Sequence, residues 1–287
     1  MNDIFLAFGD SFTWGHGLQY YDWIENSKLD KEQIKDFLLR EQRAFHHSWP
    51  NWQFKCSVGD LESMKKRRYT NLLSKELKMD YIARIYNGGQ NIKNILDVKT
   101  ILNDKVVGAD WGDSESIRNN GGTWWDGTID EINYSLKNDK LLNRRVKFVI
   151  LQLSDVGRDD PDNEDYTNSD WHKNMLQSLY QEVEELYTLC KKEDIKLFVW
   201  AWPADVAEVF LGKSYFIEIE YDNKKYISYD NLKDDYPQFC LGAHWGRKKQ
   251  KMVDGHLGEY GVCDEHPSEL FHNLIGEIIL NRINGEV

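Results

Sequence analysis

Ile4-Phe5-Leu6-Ala7-Phe8-Gly9-Asp10-Ser11-Phe12-Thr13-Trp14-Gly15 begins as an apolar run of strand length and breaks at Gly-Asp-Ser. A strand that stops at Gly9 leaves Ser11 at its carboxyl end, the edge at which open α/β sheets bind ligands. Similar segments recur. Tyr81–Tyr86 reads as a second strand, ending at Asn87-Gly88-Gly89. Val146–Leu153 is a near-continuous apolar run, the pattern of a central parallel strand buried on both faces, and Ile195–Ala201 is another. Helical periods lie between them. Arg68–Lys78 carries Leu72, Leu73 and Leu77, and Ile92–Leu102 follows the second strand. Trp171–Cys190 places Met175, Leu176, Leu179, Val183, Leu186 and Leu189 on one side, and Leu270–Ile283 closes the chain. Strand and helix in alternation predict a parallel sheet with helices on both faces.

Three long segments interrupt the alternation, near 18–66, 105–127 and 213–262. The third contains a predicted hairpin, Phe216–Tyr221 against Lys225–Tyr229, turning at Asp222-Asn223. None has a core pattern of its own, and no repeat or low-complexity linker divides the chain. Residues 1–287 therefore read as one domain with decorated loops.

The 36 lysines and arginines are outnumbered by 48 aspartates and glutamates, a formal net charge of −12. Such a chain repels nucleic acid and anionic membrane surfaces, and neither is expected as a partner. Lys65-Lys66-Arg67-Arg68 and Arg247-Lys248-Lys249 read as solvated charge at helix starts or loops. No apolar stretch approaches bilayer-spanning length, and the start lacks a signal-peptide pattern, so the expected location is cytoplasmic or virion-associated. Cys56, Cys190, Cys240 and Cys263 are scattered, as free thiols in a reducing compartment are. No metal or nucleotide motif is present, and no cofactor is expected. The oligomeric state is open.

Ser11 at a strand end becomes a nucleophile if a base reaches it, and a capping serine if none does. Its backbone N–H, at a helix start, suits a developing oxyanion, while Asp10 reads as a brace for the turn. Asp264-Glu265-His266-Pro267-Ser268 offers the base. His266 lies in a loop just before the closing helix, and Asp264 can hold its second nitrogen and set the tautomer. Asp254-Gly255-His256 is a rival pair ranked below it, and His272 reads as packing or surface. Asn87-Gly88-Gly89-Gln90-Asn91 places backbone donors at the same edge, with Gly89 permitting close approach; the alternative is a plain strand-to-helix turn. Gln152-Leu153-Ser154-Asp155-Val156-Gly157-Arg158 adds polar groups after the third strand. Arg158 suits a substrate carboxylate or pairs with the aspartates around it.

These blocks resemble the SGNH, or GDSL-like, hydrolase superfamily. Gly9-Asp10-Ser11-Phe12-Thr13-Trp14-Gly15 is similar to its first block, Asn87–Asn91 to its second and Asp264–Ser268 to its last. The resemblance implies a flavodoxin-like three-layer α/β/α fold and ester hydrolysis without a metal. It implies Ser11, His266 and Asp264 as the catalytic set, and Gly89, Ser154, Gln152, Asn91 and Arg158 as candidates for oxyanion or substrate binding. Two positions depart from the pattern. Ser154 stands where the family's third block has asparagine, and Cys263 stands three residues before His266, where the family's aspartate is expected.

The chain has 11 tryptophans, several in the interrupting segments, while Trp200 and Trp202 end the fourth strand. Aromatic faces at a polar cleft suit sugar rings, so the expected substrate is an O-acetylated carbohydrate or another small ester. Simple packing of the loops is the alternative for any one tryptophan. Two other functions fit the same residues: a glycan-binding module on an inactive scaffold, and an O-acyltransferase using Ser11.

Overall fold

A computed structural model describes residues 3–15, 17–47, 66–85, 90–104, 145–160, 169–246, 251–262 and 265–285. Among them, β1 (Asp3–Gly9), β2 (Asp80–Ile85), β3 (Arg145–Leu153) and β4 (Lys196–Ala201) form a parallel sheet in the order β2-β1-β3-β4. Strand alternation decides the layers. Ile4, Leu6 and Phe8 of β1, with Val149 and Leu151 of β3, face α5 (Asn91–Asp104), α6 (Ser169–Lys192) and α7 (Ala204–Phe210). Phe5, Ala7, Phe148 and Ile150 face the other way, onto α4 (Tyr69–Leu77) and α9 (Glu269–Asn284). The result is a three-layer α/β/α, flavodoxin-like sheet. Its strand order reverses between β1 and β3, and the crevice beyond their carboxyl ends is the ligand position of such folds.

The free edge of β4 is covered by the interrupting segment. Val199 N–H donates to the Tyr215 carbonyl (2.9 Å) and Ile217 N–H to the Val199 carbonyl (2.7 Å), a parallel rung in the fifth position. This capture shortens the predicted hairpin, which runs only over β5 (Ile219–Tyr221) and β6 (Lys224–Tyr226). Its turn is where the sequence puts it: Asp222 and Asn223 both take positive φ, 51° and 58°, as a two-residue hairpin turn of the right twist requires. Tyr229, predicted as strand, instead opens α8 (Tyr229–Asp235), with the Ser228 hydroxyl accepting from Asn231 N–H.

Segment 18–66 holds α2 (Gln19–Asn26) and α3 (Lys31–His47), and segment 213–262 ends in a second small hairpin, β7 (His244–Gly246) with β8 (Lys251–Val253). The two segments pack on each other. Leu18, Tyr20, Tyr21, Ile34 and Leu38 share a satellite core with Leu241, Leu257 and Val262. The first basic run is solvated charge only in part: Lys66 is exposed, but Arg67 is half-buried and Arg68 fully buried, while Lys65 and the run Arg247-Lys248-Lys249 lie outside the described residues. Segment 105–127 lies outside the described residues. No helix among the described residues is long and apolar enough to cross a membrane.

Candidate active site

The register of the sheet builds the turn after β1. Phe8 pairs with Leu151, so the next position of β3, Gln152, lies beside Gly9. The glycine leaves room for it: a Cβ on Gly9 would sit 2.3 Å from Thr13 Oγ1 and 2.5 Å from Gln152 Oε1. That oxygen accepts from Asp10 N–H (2.7 Å) and from the Thr13 hydroxyl (3.3 Å), and Asn94 Nδ2 donates to the Gly9 carbonyl (3.0 Å). Asp10 is fully buried. Its carboxylate accepts from Phe12 N–H (2.8 Å), Trp202 Nε1 (3.0 Å) and Arg158 (3.1 Å). Asp10 thus braces the turn, and Ser11 begins α1 (Ser11–Trp14) at the carboxyl edge of the sheet. The Ser11 side chain lies outside the description.

The segment before α9 approaches from the opposite side. The half-buried His266 ring lies 5.0 Å, centroid to centroid, from the ring of Phe12, the residue after Ser11. Its carbonyl accepts from Leu241 N–H (2.7 Å). Phe12 also stacks on Trp202 (5.1 Å) and meets Tyr229 edge-on (5.4 Å). The turn after β1 and the loop before the last helix therefore meet through aromatic contact. Asp264, Cys263 and Gly89 lie outside the described residues.

The remaining expected donors have other tasks. Gln152 is buried under the turn, and its Nε2 donates to the Leu153 carbonyl (3.0 Å). Asn91 Nδ2 donates to the Ser154 carbonyl (3.1 Å) and to Asp159 (2.9 Å), while its Oδ1 accepts from Ser154 N–H (2.7 Å) and from the Ser154 hydroxyl (3.2 Å). Ser154 and Asn91 are thus buried partners that tie the end of β3 to the start of α5. Asp159 completes the joint by accepting from Ile92 N–H (2.8 Å). Burial pushes its carboxyl up to about 6 against the pull of these donors. Arg158 differs from these buried donors in being partly exposed. Its side chain is 35% exposed, and its guanidinium stands 5.7 Å from the Trp202 ring centroid.

Several supporting groups escape a sequence reading. Lys233 is buried with Asp230 (3.0 Å), and its Nζ also donates to Glu265 (3.1 Å), the residue before His266. Burial alone would lower its pKa, but the two carboxylates outweigh burial and raise it. His272, fully buried on α9, stacks on Tyr69 and is pushed down to about 3 by burial, aided by the charges of Arg68 and His266. It stays neutral and packs, while the rival His256 is taken up by the Tyr21 hydroxyl (2.6 Å). Of the two tryptophans at the end of the fourth strand, Trp200 is core, against Phe271, and Trp202 reaches the Ser11 turn. Asn94 carried a usable signal: with Asn91 it puts two polar residues on the face of α5 that otherwise presents Ile95 and Val98. Cys190 and Cys240 are buried and outside any disulfide. No cluster of three metal-binding side chains occurs among the described residues.

Comparison with protein families, with curated proteins and with solved structures gives no match to this chain.

Proposed function

We infer that the chain is a serine ester hydrolase of the SGNH type, acting on O-acetyl groups of a carbohydrate. One observation carries the reading: the turn that presents Ser11 and the loop that presents His266 are in contact, Phe12 ring to His266 ring at 5.0 Å. In the proposed reaction His266 accepts the Ser11 hydroxyl proton as Oγ adds to the ester carbonyl. The tetrahedral intermediate expels the alcohol, which takes that proton, and leaves acetyl on Ser11. Water, deprotonated by His266, then adds to the acetyl carbon, and the second intermediate breaks at the Ser11 Oγ bond, which releases acetate as Oγ takes the proton back from His266. Asp264 orients the imidazole, and backbone N–H groups of Ser11 and Gly89 serve the oxyanion. Trp202 and Arg158 form the rim against which a sugar ring would rest.

The test is hydrolysis of p-nitrophenyl acetate and of acetylated sugars, with fluorophosphonate labelling mapped to the modified residue. Wild-type protein should turn over and label at Ser11, and Ser11→Ala should lose at least about 10³-fold in rate. Equal rates in the two proteins would remove Ser11 as nucleophile. The internal engagement of Ser154, Gln152 and Asn91 favours a second reading, a glycan-binding module without turnover. It predicts sugar binding retained in Ser11→Ala and no acetate released by wild type.

A further inference from the structure

We propose that Tyr229 is a positioning residue that links the Ser11 turn to the His266 loop and holds the spacing between them. The role rests on the esterase reading above. Tyr229 is fully buried at the first position of α8, and its ring and hydroxyl face different loops. The ring meets Phe12 edge-on at 5.4 Å and Phe271 of α9 at 4.7 Å. The hydroxyl donates to the Glu265 carbonyl (3.1 Å), with the Phe239 carbonyl (3.4 Å) as a second acceptor. One side chain therefore touches the residue after Ser11 and the residue before His266. The helix that carries it is anchored just beyond the end of β4, because Asp230 N–H donates to the Trp202 carbonyl (3.0 Å). One turn further on, Lys233 holds the Glu265 side chain (3.1 Å). A shift of the His266 loop relative to the independently braced Ser11 turn is resisted at this residue, and proton transfer between a hydroxyl and an imidazole tolerates little displacement.

Tyr229→Phe keeps both ring contacts and deletes only the hydroxyl. It should lower kcat for p-nitrophenyl acetate about tenfold and leave KM unchanged, with fluorophosphonate labelling of Ser11 slowed in parallel. Tyr226→Phe is the control, since it deletes a hydroxyl bonded to Asp235 (3.2 Å) in the same segment but away from both loops; its kcat should match wild type. A second readout is independent of turnover: amide exchange at Leu241, which donates to the His266 carbonyl, should quicken in Tyr229→Phe and not in Tyr226→Phe. Unchanged kcat or unchanged Leu241 exchange in Tyr229→Phe, or equal losses in the two variants, overturns the positioning role alone. Wild-type protein that neither hydrolyses nor labels overturns the esterase reading, and this role with it.

Discussion

The two loops that meet at Phe12 and His266 are held by different parts of the molecule. The serine turn is fixed from within the sheet: Gln152 and Trp202 come from the ends of β3 and β4, Asn94 from α5, and the turn's own Asp10 binds the whole together. The histidine loop is fixed from the interrupting segments. Tyr229 and Lys233 of α8 and Leu241 hold its backbone and Glu265. Tyr21 and Arg67 hold the start of the helix behind it, where Glu269 N–H donates to the Tyr21 hydroxyl and the Glu269 carboxylate pairs with Arg67. Damage to the first set removes a piece of the core. Damage to the second loosens a docked layer. The fold and the site thus have separable supports, and substitutions on either side should read out differently.

The largest effect is expected at Gly9. An alanine there meets Thr13 Oγ1 and Gln152 Oε1 well inside contact distance, and Gln152 cannot yield without releasing Asp10 N–H. Overpacking and a stranded buried donor together predict a loss of about 2–5 kcal/mol for Gly9→Ala in urea denaturation. A loss below about 1 kcal/mol would mean that the turn is plastic, and the contrast between the loops would fail.

Acid should separate the halves by sign. His272, behind the histidine loop, has a folded pKa near 3 against an ordinary 6.5, so the unfolded chain takes up the proton first. The stability it provides is complete above about pH 6.5 and is lost as the pH falls toward 3. Asp159, on the serine side, runs the other way. Its folded pKa is about 6 against 3.8, so the fold takes up the proton first and gains stability as the pH falls between them. Between pH 7 and pH 4, the stability of wild type relative to His272→Gln should fall by about 3 kcal/mol, and relative to Asp159→Asn should rise by about 2 kcal/mol. Denaturation at the two pH values checks both, and shifts of one sign in both variants would break the contrast.

How much of this was legible follows from what each part is made of. The four strands and the helices that flank them stood out because buried parallel strands are continuous apolar runs, and the long helices keep a regular apolar stripe. The segment 18–66 did not, because the described apolar side chains that α2 and α3 bury are a sparse set, Tyr20, Tyr21, Ile34 and Leu38, against partners more than 200 residues away in sequence. Arg68 in a basic run looks like solvated charge until a tertiary fold closes over it. The meeting of the two loops could be anticipated, since the resemblance pairs the Gly-Asp-Ser turn with the Asp264–Ser268 block. The fates of Gln152, Ser154 and Asn91 could not. A strand-end amide offers the same donors whether it points at a substrate or at its neighbour, and only the register of Phe8 with Leu151, placing Gln152 over Gly9, decides between them.

The smallest effect is expected at Arg67, and it tests the second set of supports most directly. Its side chain, 11% exposed, pairs with Asp22, Glu25 and Glu269 and lies 5.1 Å from the Tyr21 ring centroid, so it joins α2 to the first turn of α9. Arg67→Met keeps the stem that covers Tyr21 and removes the charge, while Asp22 retains Lys66 as a partner. The partial exposure of the network and that remaining lysine limit the loss to about 1 kcal/mol. The location of the loss matters more than its size. Amide exchange should rise in α2 and the first turn of α9 and stay unchanged in β1 and β3. Arg67→Lys should restore little, because one ammonium cannot span three carboxylates as a planar fork does. Exchange that rises equally in the central strands would mean that the docked layer and the sheet open as one unit, and that the two loops share a single support.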